Sequence, residues 1–196
     1  GGTIGASGGT LRFVRGDWEF SGGSMAVSNG ATIELAGNVD HRFTGASGIS
    51  GIGTFRLGMA SFGTVTFEDD FTVDLNPPSA RGADGTGLVI SGLGARVVNG
   101  ATLTNRTGGE WNSGPIAGGT APLSFVLNEA PVTEPFAIVP TASKRLEGVL
   151  YFLNDGALAV RDGFSIQFPS EMFSSGHARV EVPGHAILGT GAITNQ

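Results

Sequence analysis

Glycine occupies 34 of the 196 positions, spread along the chain between short runs that alternate apolar and polar residues. Strict alternation buries one face of a strand and wets the other. Leu11 and Phe13 share one face of the first run, Trp18 and Phe20 of the next, then Met25 with Val27, and Ala31 with Ile33 and Leu35. Phe55 and Leu57, Val65 and Phe67, and Phe71 with Val73 and Leu75 continue the series. Later come Leu123, Phe125 and Leu127, then Phe164, Ile166 and Phe168, and Val180 with Val182. Gly22-Gly23, Asn29-Gly30, Gly48, Gly51, Gly53, Gly92, Gly94 and Asn99-Gly100 fall between runs, where a residue without Cβ turns the chain. Runs spaced roughly 8–14 residues apart, with no long helical period, read as an all-β architecture.

The remaining composition excludes several classes. Hydrophobic residues make up 40% and charged residues 14%, enough apolar surface for a core and too little charge for disorder. The glycines follow no three-residue period, which excludes collagen. The net charge is −6, from 17 acids against 11 bases of which only Lys144 is lysine. That balance argues against a nucleic-acid partner and against an anionic membrane surface. Without cysteine there is no disulfide, thiolate metal site or cysteine nucleophile. No apolar run reaches the ~18 residues of a membrane span, so no membrane insertion by this segment is expected. The chain opens Gly1-Gly2-Thr3, as a processed product or an excerpt would.

Two all-β readings compete, an antiparallel sandwich or barrel and a parallel solenoid. Internal echoes favour the solenoid. Asn29-Gly-Ala-Thr-Ile33 recurs as Asn99-Gly-Ala-Thr-Leu103, Trp18-Glu-Phe-Ser-Gly22 has an echo in Trp111-Asn-Ser-Gly114, and Gly51-Ile-Gly-Thr-Phe55 one in Gly189-Thr-Gly-Ala-Ile193. The echoes keep no fixed period, as in a β-helix whose coils vary in length. Asn99-Gly-Ala-Thr-Leu-Thr-Asn105, Gly109-Glu-Trp-Asn-Ser113 and Gly189-Thr-Gly-Ala-Ile-Thr-Asn195 resemble the Gly/Asn/Thr-rich repeats of bacterial surface proteins, the autotransporter passengers and filamentous-haemagglutinin-like adhesins. The resemblance covers residues 1–120 and 176–196. It implies a right-handed parallel β-helix, exported and displayed at the cell surface.

The expected organisation is a single-chain parallel β-helix (β-solenoid): coils over 1–127, a Pro-rich loop or linker over 128–148, and further coils of the same body over 149–196. Pro77-Pro78 and the following residues mark a second loop over 76–87. At ~20 residues per coil the chain would make roughly nine coils. Coils at the ends would lack a neighbour and invite pairing, so the expected partners are other copies of the chain or the rest of a longer parent chain, and a host-surface glycan or protein.

Candidate chemistry is sparse. Glu68, Asp69, Asp70 and Asp74 form the densest acidic cluster. On an unbroken strand, alternate carboxylates would share an outer face and could hold calcium; the plainer reading is a solvated turn joining two strands. Asp17, Glu19 and Asp40 could serve glycoside hydrolysis only if the fold made two of them flank a groove. Asp40-His41-Arg42 has residue types for acid–base work, with His41 expected on an exposed turn. His177 and His185 alone make no convincing metal site. Trp18 and Trp111 could stack on sugars if exposed, but core or ladder packing is the expectation for both. Asn105-Arg-Thr107 fits a glycosylation sequon. No catalytic, metal or cofactor residue is assigned. The functional expectation is a structural or adhesive segment of an exported surface protein; a carbohydrate-active β-helix enzyme and a phage or virion tail-spike component are the alternatives.

Overall fold

A computed structural model describes residues 1–75, 87–121, 123–131, 136–138, 144–148, 150–156, 158–160, 165–168, 178–181, 187–188 and 192–195. The expected loop over 76–87 falls almost wholly outside them, as do Phe164, Val182, His177 and His185. The chain is a parallel β-solenoid: every strand pairing is parallel, and no helix occurs among the described residues. Each of the first six coils contributes one strand to each of three faces.

The second face shows the plan most simply. It is an eight-stranded sheet running Thr10–Phe13, Thr32–Gly37, Thr54–Met59, Gly87–Gly92, Gly109–Trp111, Phe136–Ile138, Leu158–Val160 and Ile187–Leu188. Register pairs Thr10 with Thr32 and Thr32 with Thr54, 22 residues per coil, whereas Thr54 pairs with Gly87, 33 residues on. This variation in coil length is why the sequence echoes keep no period.

The first face stacks Gly2–Ala6, residues 23–27 and 47–51, Phe71–Leu75, Thr102–Asn105, Phe125–Asn128, Leu150–Asn154 and Ala178–Glu181. The third stacks residues 18–20 and 40–43, Thr64–Phe67, Ala95–Val98, Gly114–Gly118 and Lys144–Glu147. In the early coils the long strands Trp18–Val27 and Asp40–Gly51 run unbroken from third face to first, so these two faces form one hydrogen-bonded sheet. Ser165–Phe168 pairs with Ala192–Asn195 as a further two-stranded sheet. The stretch 128–148, expected as a loop or linker, places Phe136–Ile138 and Lys144–Glu147 in register with the coils on either side.

Inward side chains align into columns because parallel register puts like positions above one another. One column runs Phe13, Leu35, Leu57, Ile90, Trp111 and Ile138. Another runs Phe20, Phe43 and Phe67, whose rings stack at centroid distances of 4.7 and 5.1 Å. Burying rings of this size contributes about 1.5–3 kcal/mol each, and offset stacking adds about 0.5–1.5 kcal/mol per pair.

The Asn-Gly-Ala-Thr echo marks a corner rather than a coil. Asn29-Gly30 precedes a second-face strand and Asn99-Gly100 a first-face strand, yet both glycines have φ of 73°. In both, the following alanine is buried, as are Ile33 and Leu103 two residues further on. Close approach between coils imposes a second demand on glycine. Gly92 has φ of 82°, and a Cβ there would lie 2.0 Å from the Met59 carbonyl oxygen of the coil before. Gly92→Ala is expected to cost about 3 kcal/mol or more, read as a lower urea midpoint, because both backbone strain and overpacking oppose it.

Candidate interaction surface

The strand Phe125–Asn128 reverses the expected orientation. Hydrophobic alternation puts Leu123, Phe125 and Leu127 inside; instead Ser124, Val126 and Asn128 are buried, and Leu123 is 55% exposed. The cause is a polar column in the interior. The first-face column that begins Ile4, Met25, Ile49 and Val73 continues as Asn105, Asn128 and Asn154.

Asn105 Nδ2 donates to Asn128 Oδ1 at 3.1 Å, and Asn128 Nδ2 donates to Asn154 Oδ1 at 2.6 Å. Both ends close on backbone: the Thr107 amide donates to Asn105 Oδ1, and Asn154 Nδ2 donates to the Gly156 carbonyl. Buried amides tolerate no unmade hydrogen bonds, so placing Asn128 inside fixes the phase, and a slip of one residue would turn every side chain over. The amide of Asn105 is engaged and buried, which removes the sequon as a modification site of the folded chain.

The outward consequence is an apolar strip on the first face. Register sets Phe125 beside Tyr151 and Leu127 beside Leu153, all part-exposed, and the two rings stack 5.3 Å apart at 24°. Arg106 bonded to Glu129 at 2.8 Å, and the exposed Asp155, lie just beyond the ends of the same strands. In earlier coils the outward positions of this face carry Thr3, Ser24, Gly48 and Thr72 instead.

A second set of polar groups serves the corner between second and third faces. Trp18 Nε1 donates to the Arg15 carbonyl at 2.9 Å, and Trp111 Nε1 to the Gly114 carbonyl at 3.0 Å. His41 Nε2 lies 3.4 Å from the Ala36 carbonyl. Arg96 donates to the carbonyls of Gly94 at 2.6 Å and Leu57 at 2.5 Å, and also to that of Ser91. Its guanidinium is buried without a carboxylate partner, and burial lowers its pKa to about 10, which leaves it cationic at neutral pH. Trp18, His41, Val65, Arg96 and Ile116 form one inward column, so the Trp18 and Trp111 echo has a physical content: both indoles hold this corner.

One expectation is corrected here. His41 is not on an exposed turn; it is 0% exposed, at an inward position of Asp40–Gly51. Trp18 packs in the ladder of the first coil, 42% exposed, with its ring edge-on to Phe13 at 4.9 Å. Trp111 is fully buried.

Asp17 and Asp40 neighbour each other on successive coils, and each carboxylate of this group is taken up in a bond between coils. Asp17 accepts the Asp40 amide, Glu19 accepts the Thr44 hydroxyl, and Asp40 accepts the Thr64 hydroxyl at 2.5 Å. Glu68–Asp70 is the turn between Thr64–Phe67 and Phe71–Leu75, not part of an unbroken strand. There Glu68 takes two bonds of 2.8 Å from Arg42, while Asp70 accepts the Thr102 amide. Among the described residues, no three His, Asp or Glu side chains are grouped to hold a metal ion. A gap of about 30 Å³ opens where Gly2, Gly23 and Ser47 precede Phe71 in their column, room for a water and not for a sugar ring. No helix among the described residues is long and apolar enough to cross a membrane. No protein-family model, curated protein or solved structure matches the chain.

Proposed function

We propose that the chain is a structural and adhesive segment of a large exported cell-surface protein, a stiff repetitive body whose outer faces and loops make the contacts. The observation that carries this reading is the outward strip of Leu123, Phe125, Leu127, Tyr151 and Leu153 on a stack braced by interior columns. Apolar residues clustered on one outer face of a rigid sheet are a contact surface, because singly scattered ones would need no such phase. Asp17, Glu19 and Asp40 each accept a hydrogen bond from the next coil, which supports a structural role for them over glycan cleavage. In the first coil, Ile4, Leu11, Trp18 and Phe20 point inward yet are incompletely covered, which supports continuation of the stack by a further coil, from another copy or from a longer parent chain.

Antibody labelling of intact producing cells tests the location: label on unpermeabilised cells is the expected result, and label only after permeabilisation overturns the proposal. The strip has its own test. Leu127→Glu is expected to change stability by no more than about 0.5–1 kcal/mol, since the side chain points outward, while reducing adhesion of the parent protein to its target surface at least about tenfold.

A further inference from the structure

We infer that His41 is an acid-sensitive latch: protonation of its imidazole at the corner between second and third faces loosens the first two coils from the rest of the stack. Among the corner donors, Trp18, Arg96 and Trp111 do not change protonation near neutral pH, and His41 does. In its neutral form Nε2–H serves the Ala36 carbonyl, and Nδ1, which is buried, has no partner. An imidazolium would carry a second N–H at Nδ1, a buried charged donor with no acceptor in the column between Trp18 and Val65.

The charged groups facing the ring come from two elements. Asp17 lies on the turn before Trp18, and Asp40 precedes His41 on its own strand. Arg42, next along the strand, faces outward and is bound by Glu68. The neighbouring strand Thr64–Phe67 brings no titratable side chain. Burial outweighs the attraction of the two carboxylates and the Ala36 bond, so the pKa of His41 falls below its ordinary 6.5. The unfolded segment then binds more protons than the folded one in the interval between the two values. Stability of this region is therefore full above about pH 6.5, is lost as pH falls through that interval, and stops falling once the folded ring is also protonated. His41 pairs with Trp18 on one side and Val65 on the other, so the loss is felt first in the strands that carry them.

Native-state hydrogen exchange of the whole chain over a pH series from about 7.5 to about 3.5, corrected for intrinsic exchange rates, tests the latch. Peptides covering 18–27 and 40–51 are expected to lose protection at least about tenfold relative to peptides covering 102–128, with a midpoint below about 6.5 and above the carboxylate range. His41→Gln keeps an N–H for the Ala36 carbonyl and cannot titrate, and it is expected to abolish the pH response. A wild type with no regional response, or an equal response in H41Q, overturns the proposal. Where H41Q does not fold, the wild-type midpoint decides: a value near 4 assigns the effect to carboxylates and contradicts the latch.

Discussion

Replacing Asn128 with alanine is expected to destabilise the chain by about 3–5 kcal/mol, read as a lower urea midpoint at unchanged slope. The change leaves Asn105 Nδ2 and Asn154 Oδ1 buried and without their partners, and each such group costs about 1–3 kcal/mol. A gap in the column adds to this. Replacing Asn105, Asn128 and Asn154 together with valine should cost less than the sum of the three single changes. The apolar column of Ile4, Met25, Ile49 and Val73 would then run on through the later coils, with the Thr107 amide and the Gly156 carbonyl losing an amide partner. Full additivity across the three sites would show that the amides act singly and not as a network.

Arg96→Met is the second large effect. The guanidinium reaches carbonyls of three successive coils, Leu57 in one, Ser91, Gly92 and Gly94 in the next, and Ser113 in the third. Methionine fills much of the space and donates to none of them. Removing the buried charge relieves a desolvation cost, so the net loss is expected at about 2–4 kcal/mol rather than the full sum of the orphaned carbonyls. Arg96→Lys should be no better, because one ammonium cannot fork to carbonyls set apart as these are. Rescue of stability by lysine would mean that charge, and not the fork, holds this corner.

The main lines of the fold were legible in the chain. Phe55 with Leu57, Val65 with Phe67, and Phe71 with Val73 and Leu75 alternate and are buried as read. The repeated Asn-Gly-Ala-Thr corners signalled coils. What misled was reading alternation by hydrophobicity alone. Leu123, Phe125 and Leu127 make a better apolar face than Ser124, Val126 and Asn128, yet a buried amide network outranks them. The signal that could have found it is an asparagine closing an otherwise apolar strand: Leu103-Thr-Asn105, Val126-Leu-Asn128 and Phe152-Leu-Asn154. His41 and Arg96 were missed for the same reason. Both are polar residues at inward positions, and what admits them is carbonyl oxygen at a corner, which no linear pattern displays. The candidate surface was legible only as a list of apolar residues, since its exposure depends on the asparagines behind it.

That dependence is open to direct measurement. The chain has no cysteine, so single-cysteine variants report accessibility at one site each. With a cysteine at position 126 or 127 and a water-soluble thiol reagent under native conditions, Leu127→Cys is expected to react at close to the unfolded rate and Val126→Cys at least about a hundredfold more slowly. The reverse order, fast at 126 and slow at 127, would place Phe125 and Leu127 inside. It would contradict both the asparagine column and the contact surface built on it.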